Sequence, residues 1–428
     1  MNRSVLRERL ATTTQVLPGE VVVAHQVEHP TRGPVRCAAA SLVSGALRRR
    51  GIPVRYDEFN APGPGERDSM LDVTSWLDQE GQAVGFGAAA HHDDSAATIA
   101  MSEVMREWSS VLRTRRMLLA AVPPVCSGAM RTTEMAGQIL TAGDTAFVYG
   151  SMVAEQHTLE DLRRRGALSG TELARIPDGA TLVFPAHGVS LAVRAEAVAR
   201  GMSVVDATCP VVAWAHAEVR RFVRRGDEVV VIAHADHALV DALIGQAPES
   251  VHLVTTVADV HRVRISDPDR LSYLVAPGFP VAEAAPMIAA LRARFPASRA
   301  QHPNGLCYAA TDRAEAIASL GRACDLLLVA GASDCPDAAS VADQARASGC
   351  PAVRVVACPD DIQPQWLAPA WCVGLTSSLS AAPHVVEQIA TAVSGLGPLS
   401  VVRRAVDSYV TALGSLTGPG PRPALTIG

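Results

Sequence analysis

The chain contains no lysine: all 38 of its basic residues are arginine. Codon bias in a GC-rich genome accounts for such an omission, yet the omission has chemical consequences. It excludes a Schiff-base lysine for pyridoxal phosphate and a phosphate-binding loop of the Gly-Lys-Ser/Thr type. Long apolar runs are missing as well. Val21-Val22-Val23 and Leu326-Leu327-Leu328-Val329 are typical, far below the ~20 residues a bilayer requires. The segment from Met1 to Leu10 alternates charged and apolar residues and has no signal-peptide core. A cytoplasmic location without membrane insertion is therefore expected. The net charge is −5 and the arginines are dispersed rather than gathered in a stripe, which argues against nucleic acid as a partner.

Cysteine is present but in a pattern that excludes common uses. The nine cysteines are Cys37, Cys126, Cys209, Cys307, Cys324, Cys335, Cys350, Cys358 and Cys372. An odd number in a long chain argues against a disulfide framework. No Cys-x-x-Cys pair occurs, so a zinc ribbon and a thioredoxin-like motif are excluded. Any metal site must draw its thiolates from distant parts of the chain.

With 428 residues the chain is long enough for more than one domain. From about residue 116 it repeats a short Val/Leu-rich strand, a turn of small residues and an amphipathic helix. Strands are expected at Arg116–Ala121, Thr181–Phe184, Ser203–Asp206, Glu228–Ile232, Leu271–Val275, Asp325–Ala330, Ala352–Val356 and Trp371–Leu375. Helices are expected at Val281–Arg294, Ala309–Leu320, Ala338–Ser348 and Ala382–Val393. Continuous apolar strands alternating with helices specify buried parallel sheets, with chemistry in the loops after the strands. Residues 1–115 read as a separate α/β extension, with a strand at Glu20–Ala24, helices at Ala38–Arg50 and Ser95–Arg113, and a turn-rich stretch at Asn60–Arg67. Residues 396–428 read as a tail, frayed beyond Leu416. His91-His92-Asp93-Asp94 reads as a solvated loop. Arg48-Arg49-Arg50 and Arg163-Arg164-Arg165 end helices, where the helix dipole favours positive charge.

Three cysteines occupy equivalent places. Cys126 follows the strand Met117–Ala121 and opens a helix, Cys209 follows Val204–Asp206 and opens another, and Cys307 opens the helix from Tyr308. Unpaired N–H groups at a helix start stabilise a thiolate. Three converging thiolates would suit a soft metal or an iron–sulfur cluster, while the other six cysteines sit in or beside apolar stretches. Cys37 is the competitor for Cys126, since its segment faintly echoes that around Cys126, but its interval to Cys209 fits less well.

The residues around these three resemble one family. Asp206-Ala207-Thr208-Cys209-Pro210, with His216 after it, is similar to the D-A-T-C-P segment of the LytB/IspH family, the hydroxymethylbutenyl diphosphate reductases. Ala186-His187-Gly188-Val189-Ser190 resembles that family's A-H-G-V-S loop, Cys307-Tyr308-Ala309-Ala310-Thr311-Asp312-Arg313 its C-Y-A-T-x-x-R segment, and Cys126-Ser127-Gly128-Ala129-Met130-Arg131 its opening C-A-G-V-x-R. Cys209 lies 83 residues after Cys126 and 98 before Cys307, intervals close to the family's. The resemblance spans about Arg116 to Val393, and a core of 116–395. It implies three βα domains with short, mostly parallel sheets around a 4Fe-4S cluster held by Cys126, Cys209 and Cys307. It also implies reductive removal of an allylic hydroxyl, with electrons from ferredoxin or flavodoxin.

The substrate side departs from the family pattern. The G-H-x-x-H-x-E loop reads Ala233-His234-Ala235-Asp236-His237-Ala238-Leu239, so His237 is kept while Leu239 replaces the proton-donating glutamate. The H-N pair falls near Ala154-Glu155, with His157 close by. The T-Q-T turn reads Val275-Ala276-Pro277, and the S-S-N triplet that holds diphosphate reads Cys335-Pro336-Asp337, whose carboxylate would repel it. The expected catalytic groups are His237, His187, Asp236 and Glu155, with Asp241 a further acid. His187, His237, Ser380, Asp337 and Thr208 are the expected substrate contacts. These changes, together with Phe279, lead us to expect a less anionic substrate, such as a prenyl-derived or polycyclic alcohol. The alternatives are the family's usual reaction in a rearranged site, a non-catalytic cluster-binding sensor, and a zinc-binding structural protein.

Overall fold

The computed structural model describes residues 5–12, 14–59, 69–177, 179–235 and 237–404. The stretch Asn60–Arg67, Asp236 and the tail beyond Leu416 fall outside them. Packing divides the chain into two compact units, Met1–Ala121 with Ala316–Ala405, and Val122–Glu315. The first therefore joins segments that precede and follow the second in sequence, whereas the sequence pattern placed its divisions at 115 and 395.

In the first unit the apolar strands Val353–Val356, Leu326–Ala330, Cys372–Ser377, Arg115–Ala120 and Leu399–Arg404 form, in that order, a parallel five-stranded sheet. Leu326–Ala330 is buried throughout, as expected for a strand covered on both faces. The edge strand Leu399–Arg404 corrects the reading of a tail from 396. The amino-terminal region makes a six-stranded mixed sheet in the order Leu6–Thr12, Ser69–Leu77, Ala83–His91, Gly33–Arg36, Val21–His29, Val54–Phe59. Its core is continuous with that of the five-stranded sheet: Leu42, Leu47 and Trp108 belong to one cluster with Leu326, Val373 and Ile389. The extension is thus packed into the unit rather than appended to it.

In the second unit two parallel four-stranded sheets run Val204–Asp206, Thr181–Phe184, Ala146–Tyr149, Leu168–Gly170 and Val251–Val254, Glu228–Ile232, Leu271–Val275, Arg299–Ala300. The α/β architecture of short, mostly parallel sheets matches the sequence expectation. Three of the expected strands and the helix Val281–Arg294 coincide with the observed elements, while other ends move by a few residues.

Arg115 ties the first unit together. Its guanidinium is almost fully buried and donates to the carbonyls of Val111 (2.6 Å), Leu367 (3.1 Å) and Leu396 (3.5 Å). It thereby caps the carboxyl end of the helix Ser95–Ser110 and anchors the turns before two strands. Burial, and then the nearby Arg113, lower its pKa to about 10, so it remains a cation at neutral pH. Arg115→Met removes these donors and strands buried carbonyls. A loss of about 3 kcal/mol is expected, read as a lower midpoint in urea unfolding with wild-type secondary structure retained in the absence of denaturant.

Candidate active site

Each of the three site cysteines begins a helix because a non-helical residue must precede the first turn. Cys126 is the N-cap of Ser127–Thr141 and its sulfur accepts the Ala129 N–H at 3.4 Å. Cys209 is the N-cap of Pro210–Arg224, with proline at the first helical position, where its missing N–H costs nothing. Cys307 precedes the helix Ala309–Ala323, and its sulfur accepts N–H groups of Ala309 and Gly278. All three belong to the second unit.

They converge. A Cβ placed on Gly128 would lie 2.6 Å from the Cys209 sulfur and 3.8 Å from the Cys126 sulfur, so these two atoms are separated by no more than the sum of those distances. Burial raises the Cys307 thiol pKa first, and the charges of Cys126 and Cys209 add to the rise, which puts all three within electrostatic reach. Among the described residues, only His91, His92 and Asp93 bring three donor atoms within 4.8 Å of one another. The thiols therefore stand wider apart than the ligands of one ion, whose sulfurs at ~2.3 Å from the metal span at most about 4.6 Å. Soft donors at this wider spacing fit an iron–sulfur cluster better than a single zinc ion.

Hydrogen bonds fix the loops around the thiols. Arg313 donates to the Pro124 carbonyl (2.6 Å), joining the Cys307 helix to the approach to Cys126. The Ala186 carbonyl accepts the Cys209 N–H (2.9 Å), and the Ala186 N–H donates to Thr132 (2.7 Å). Gln301 accepts from the Val275 N–H and donates to the Gly305 carbonyl, two residues before Cys307. The His187 loop is further held by His216, whose ring occupies the space a side chain at Gly188 would need: a Cβ there would lie 2.4 Å from the ring. Gly188 also has φ +74°, which other residues rarely adopt.

His237 lies close enough to His187 for its charge to bear on that ring. Burial, then His237, lower the His187 pKa to about 4; burial, then His234, lower that of His237. His237 caps the helix Ala238–Ile244, its Nδ1 accepting the Leu239 N–H at 3.2 Å. In the neutral ring the proton then sits on Nε2, free to donate. A small pocket beside it is lined by His234, Leu239, Val240, Pro277, Gly278 and Phe279 among others. Ala233, Leu239, Ala276 and Pro277, four positions that depart from the family pattern, thus share one cavity with His237.

The remaining expected residues are placed as follows. The Thr208 hydroxyl donates to Asp206, which Arg194 also holds at 2.7 Å, so Thr208 orders its own turn. Glu155 stands at the N-cap of Gln156–Arg164, 3.4 Å from His157. Ser380 and Asp337 lie in the first unit, grouped with Cys335. Ser380 accepts the Ala332 N–H and meets Ser378 at 3.0 Å, while Asp337 accepts the Leu379 N–H at 2.8 Å. Burial works to raise the Cys335 pKa, but hydrogen bonds from Ser380 and from the N–H groups of Ala338 and Asp337 outweigh it and bring the thiol below its ordinary value. Cys37 is buried and pushed up to about 12, which marks it as a core thiol. Sequence reasoning missed the roles of Gln301, Thr132 and Gly128; a glycine two residues after Cys126 was the available signal for the last.

Comparison with known proteins supplies the family. The model described as "LytB protein" matches residues 117–394. The chain belongs to the LytB family. Among curated LytB relatives, 4-hydroxy-3-methylbut-2-enyl diphosphate reductase 2 of Mycobacterium bovis is 39% identical over 303 residues, 70% of this chain and 92% of that protein. The reductase of the same name from Bordetella bronchiseptica is 38% identical over 286 residues, 67% of this chain and 87% of its own. The solved E-1-hydroxy-2-methyl-but-2-enyl-4-diphosphate reductase of Plasmodium falciparum superposes with a TM-score of 0.59 at 24% identity. It covers 69% of this chain and 93% of its own, a likeness of fold. The LytB match begins at residue 117, so it leaves the amino-terminal sheet outside. Among the described residues no helix is long and apolar enough to cross a membrane.

The buried histidines make the fold acid-sensitive. His187 and His216 both have pKa values lowered to about 4, His216 by burial first and then Arg220. The unfolded chain takes up a proton near pH 6.5 at each, which the folded chain refuses, so stability is full above about pH 6.5 and falls toward pH 4. Between pH 7 and 5 each should account for about 2 kcal/mol of lost stability. Urea unfolding of the metal-free protein measures this, and His216→Gln should flatten the pH dependence.

Proposed function

We propose that this chain is an iron–sulfur reductase that removes a hydroxyl group from an allylic alcohol, with Cys126, Cys209 and Cys307 holding the cluster. The observation that carries this reading is the meeting of three thiols, each from a different helix start, in one unit. When bound, such a cluster supplies the electrons, delivered by a one-electron donor of the ferredoxin or flavodoxin kind, and a Lewis-acidic site for the hydroxyl oxygen. The chain's own residues bind, orient and protonate. His237, with its Nε2 proton, is the group placed to assist departure of water. His187 is held neutral by burial and offers a hydrogen bond without adding charge. Glu155 and Asp236 are the other proton sources, and Thr208 keeps the Cys209 turn in register.

The substrate named for the relatives, 4-hydroxy-3-methylbut-2-enyl diphosphate, is the first to assign, because identity of 39% extends over 92% of one such protein. A second reading, a less anionic alcohol, is favoured by one observation: Leu239, Pro277 and Phe279 line the pocket beside His237.

Anaerobic reconstitution should load about four irons per chain, with Cys209→Ser losing most of them; no iron in the wild type removes the reductase reading. Turnover of the diphosphate with a strong one-electron reductant then separates the substrates. Brisk turnover assigns the relatives' reaction, and a loaded but inactive protein assigns the second. Leu239→Glu restores a proton donor and should raise kcat on the diphosphate by about a hundredfold.

A further inference from the structure

Four cysteines outside the candidate active site border one apolar cluster of the first unit: Cys324, Cys335, Cys350 and Cys372. Two of them meet. The sulfurs of Cys324 and Cys372 are 3.8 Å apart. We propose that Cys324 and Cys372 are a modification site, a thiol pair that a hydroperoxide converts to a reversible disulfide.

The fold presents the pair for this reaction. Cys324 stands two residues before the strand Leu326–Ala330, and Cys372 is the first residue of the neighbouring strand Cys372–Ser377. Leu326 is in register with Val373, so the two thiols share one end of adjacent parallel strands. Such strands lie ~4.8 Å apart, a separation that a disulfide spans without backbone movement. Gly374, two residues on and hence on the same sheet face as Cys372, leaves the place of the Cys324 sulfur open: a Cβ there would stand 2.9 Å from it. Closing the bond requires the sulfurs to approach by under 2 Å, a side-chain adjustment.

The two thiols differ in access. Cys372 is half-buried beside the exposed Trp371, whereas Cys324 is buried. Cys372 therefore meets the oxidant. Its thiolate attacks the peroxide, forming an S–O bond as the O–O bond breaks, and the departing oxygen leaves as water or an alcohol. The Cys324 sulfur then attacks the resulting sulfenic acid, the S–S bond forms, and a second water leaves with its proton. Two thiols lose two electrons and the peroxide gains them. Cys350, whose thiol donates to the Ala352 carbonyl at 3.2 Å and lies 3.8 Å from the Cys324 carbonyl, is the competing partner. The inference is independent of the proposed reductase activity.

Peptide mapping by mass spectrometry tests it. The full-length reduced protein is treated with one equivalent of hydrogen peroxide, its remaining thiols are alkylated, and the digest is examined. A peptide linking Cys324 to Cys372, lighter by two hydrogens and released by dithiothreitol, is expected in the wild type and in Cys350→Ser. It should vanish in Cys372→Ser. A Cys324–Cys350 link, sulfinic acid at Cys372 without a link, or full alkylation of both residues after peroxide would overturn the proposal.

Discussion

Three thiol groups gathered at one place resist ionisation together, because each thiolate raises the cost of the next. At Cys307 burial, and then the charges of Cys126 and Cys209, work to raise the pKa. Helix starts offset part of the cost by turning unpaired N–H groups toward the sulfurs. A cationic centre would offset the remainder, which is why the arrangement makes chemical sense around a metal cluster. The βα units exist, in effect, to place three helix starts around one point.

Holding that point steady falls to hydrogen bonds and close packing. The Arg313–Pro124 contact, the Ala186 bonds to Cys209 and Thr132, and the two bonds of Gln301 connect the segments that carry the cysteines and His187. None of these contacts touches a sulfur. Each limits the freedom of a loop that does carry a site residue, so the centre can be rigid although its ligands are far apart in sequence. Around His237 the character changes: Leu239, Pro277 and Phe279 line the pocket, and the ring is anchored to the backbone by the Leu239 N–H.

Elements with a strong local pattern were legible before any coordinates. Val229–Ile232 is an unbroken apolar run and Leu271–Val275 is interrupted only by Ser272, and a strand buried on both faces is the structure such a run favours. The amino-terminal sheet was largely illegible. Ala83–His91 is rich in alanine and glycine, with little intrinsic strand preference, and becomes a fully buried central strand because its neighbours cover it. The strand Leu399–Arg404 was hidden for a related reason, since an edge strand with exposed faces has only a weak hydrophobic alternation. Of the site residues, the cysteines and histidines were identified by motif, whereas Gln301 and Thr132 carry no local signal of their role.

The amino-acid sequence alone determined which groups are available: three thiols that can each begin a helix, a histidine pair, and a leucine where a carboxylate would have titrated. These are properties of residue type and of short-range backbone geometry, so they survive without knowledge of the fold. Only the tertiary structure decided which groups meet. Cys126, Cys209 and Cys307 share a unit, Cys324 and Cys372 face each other across two strands, and the amino-terminal sheet shares a core with the five-stranded sheet. Proximity between distant segments arises from sheet order and packing, which depend on the whole chain at once.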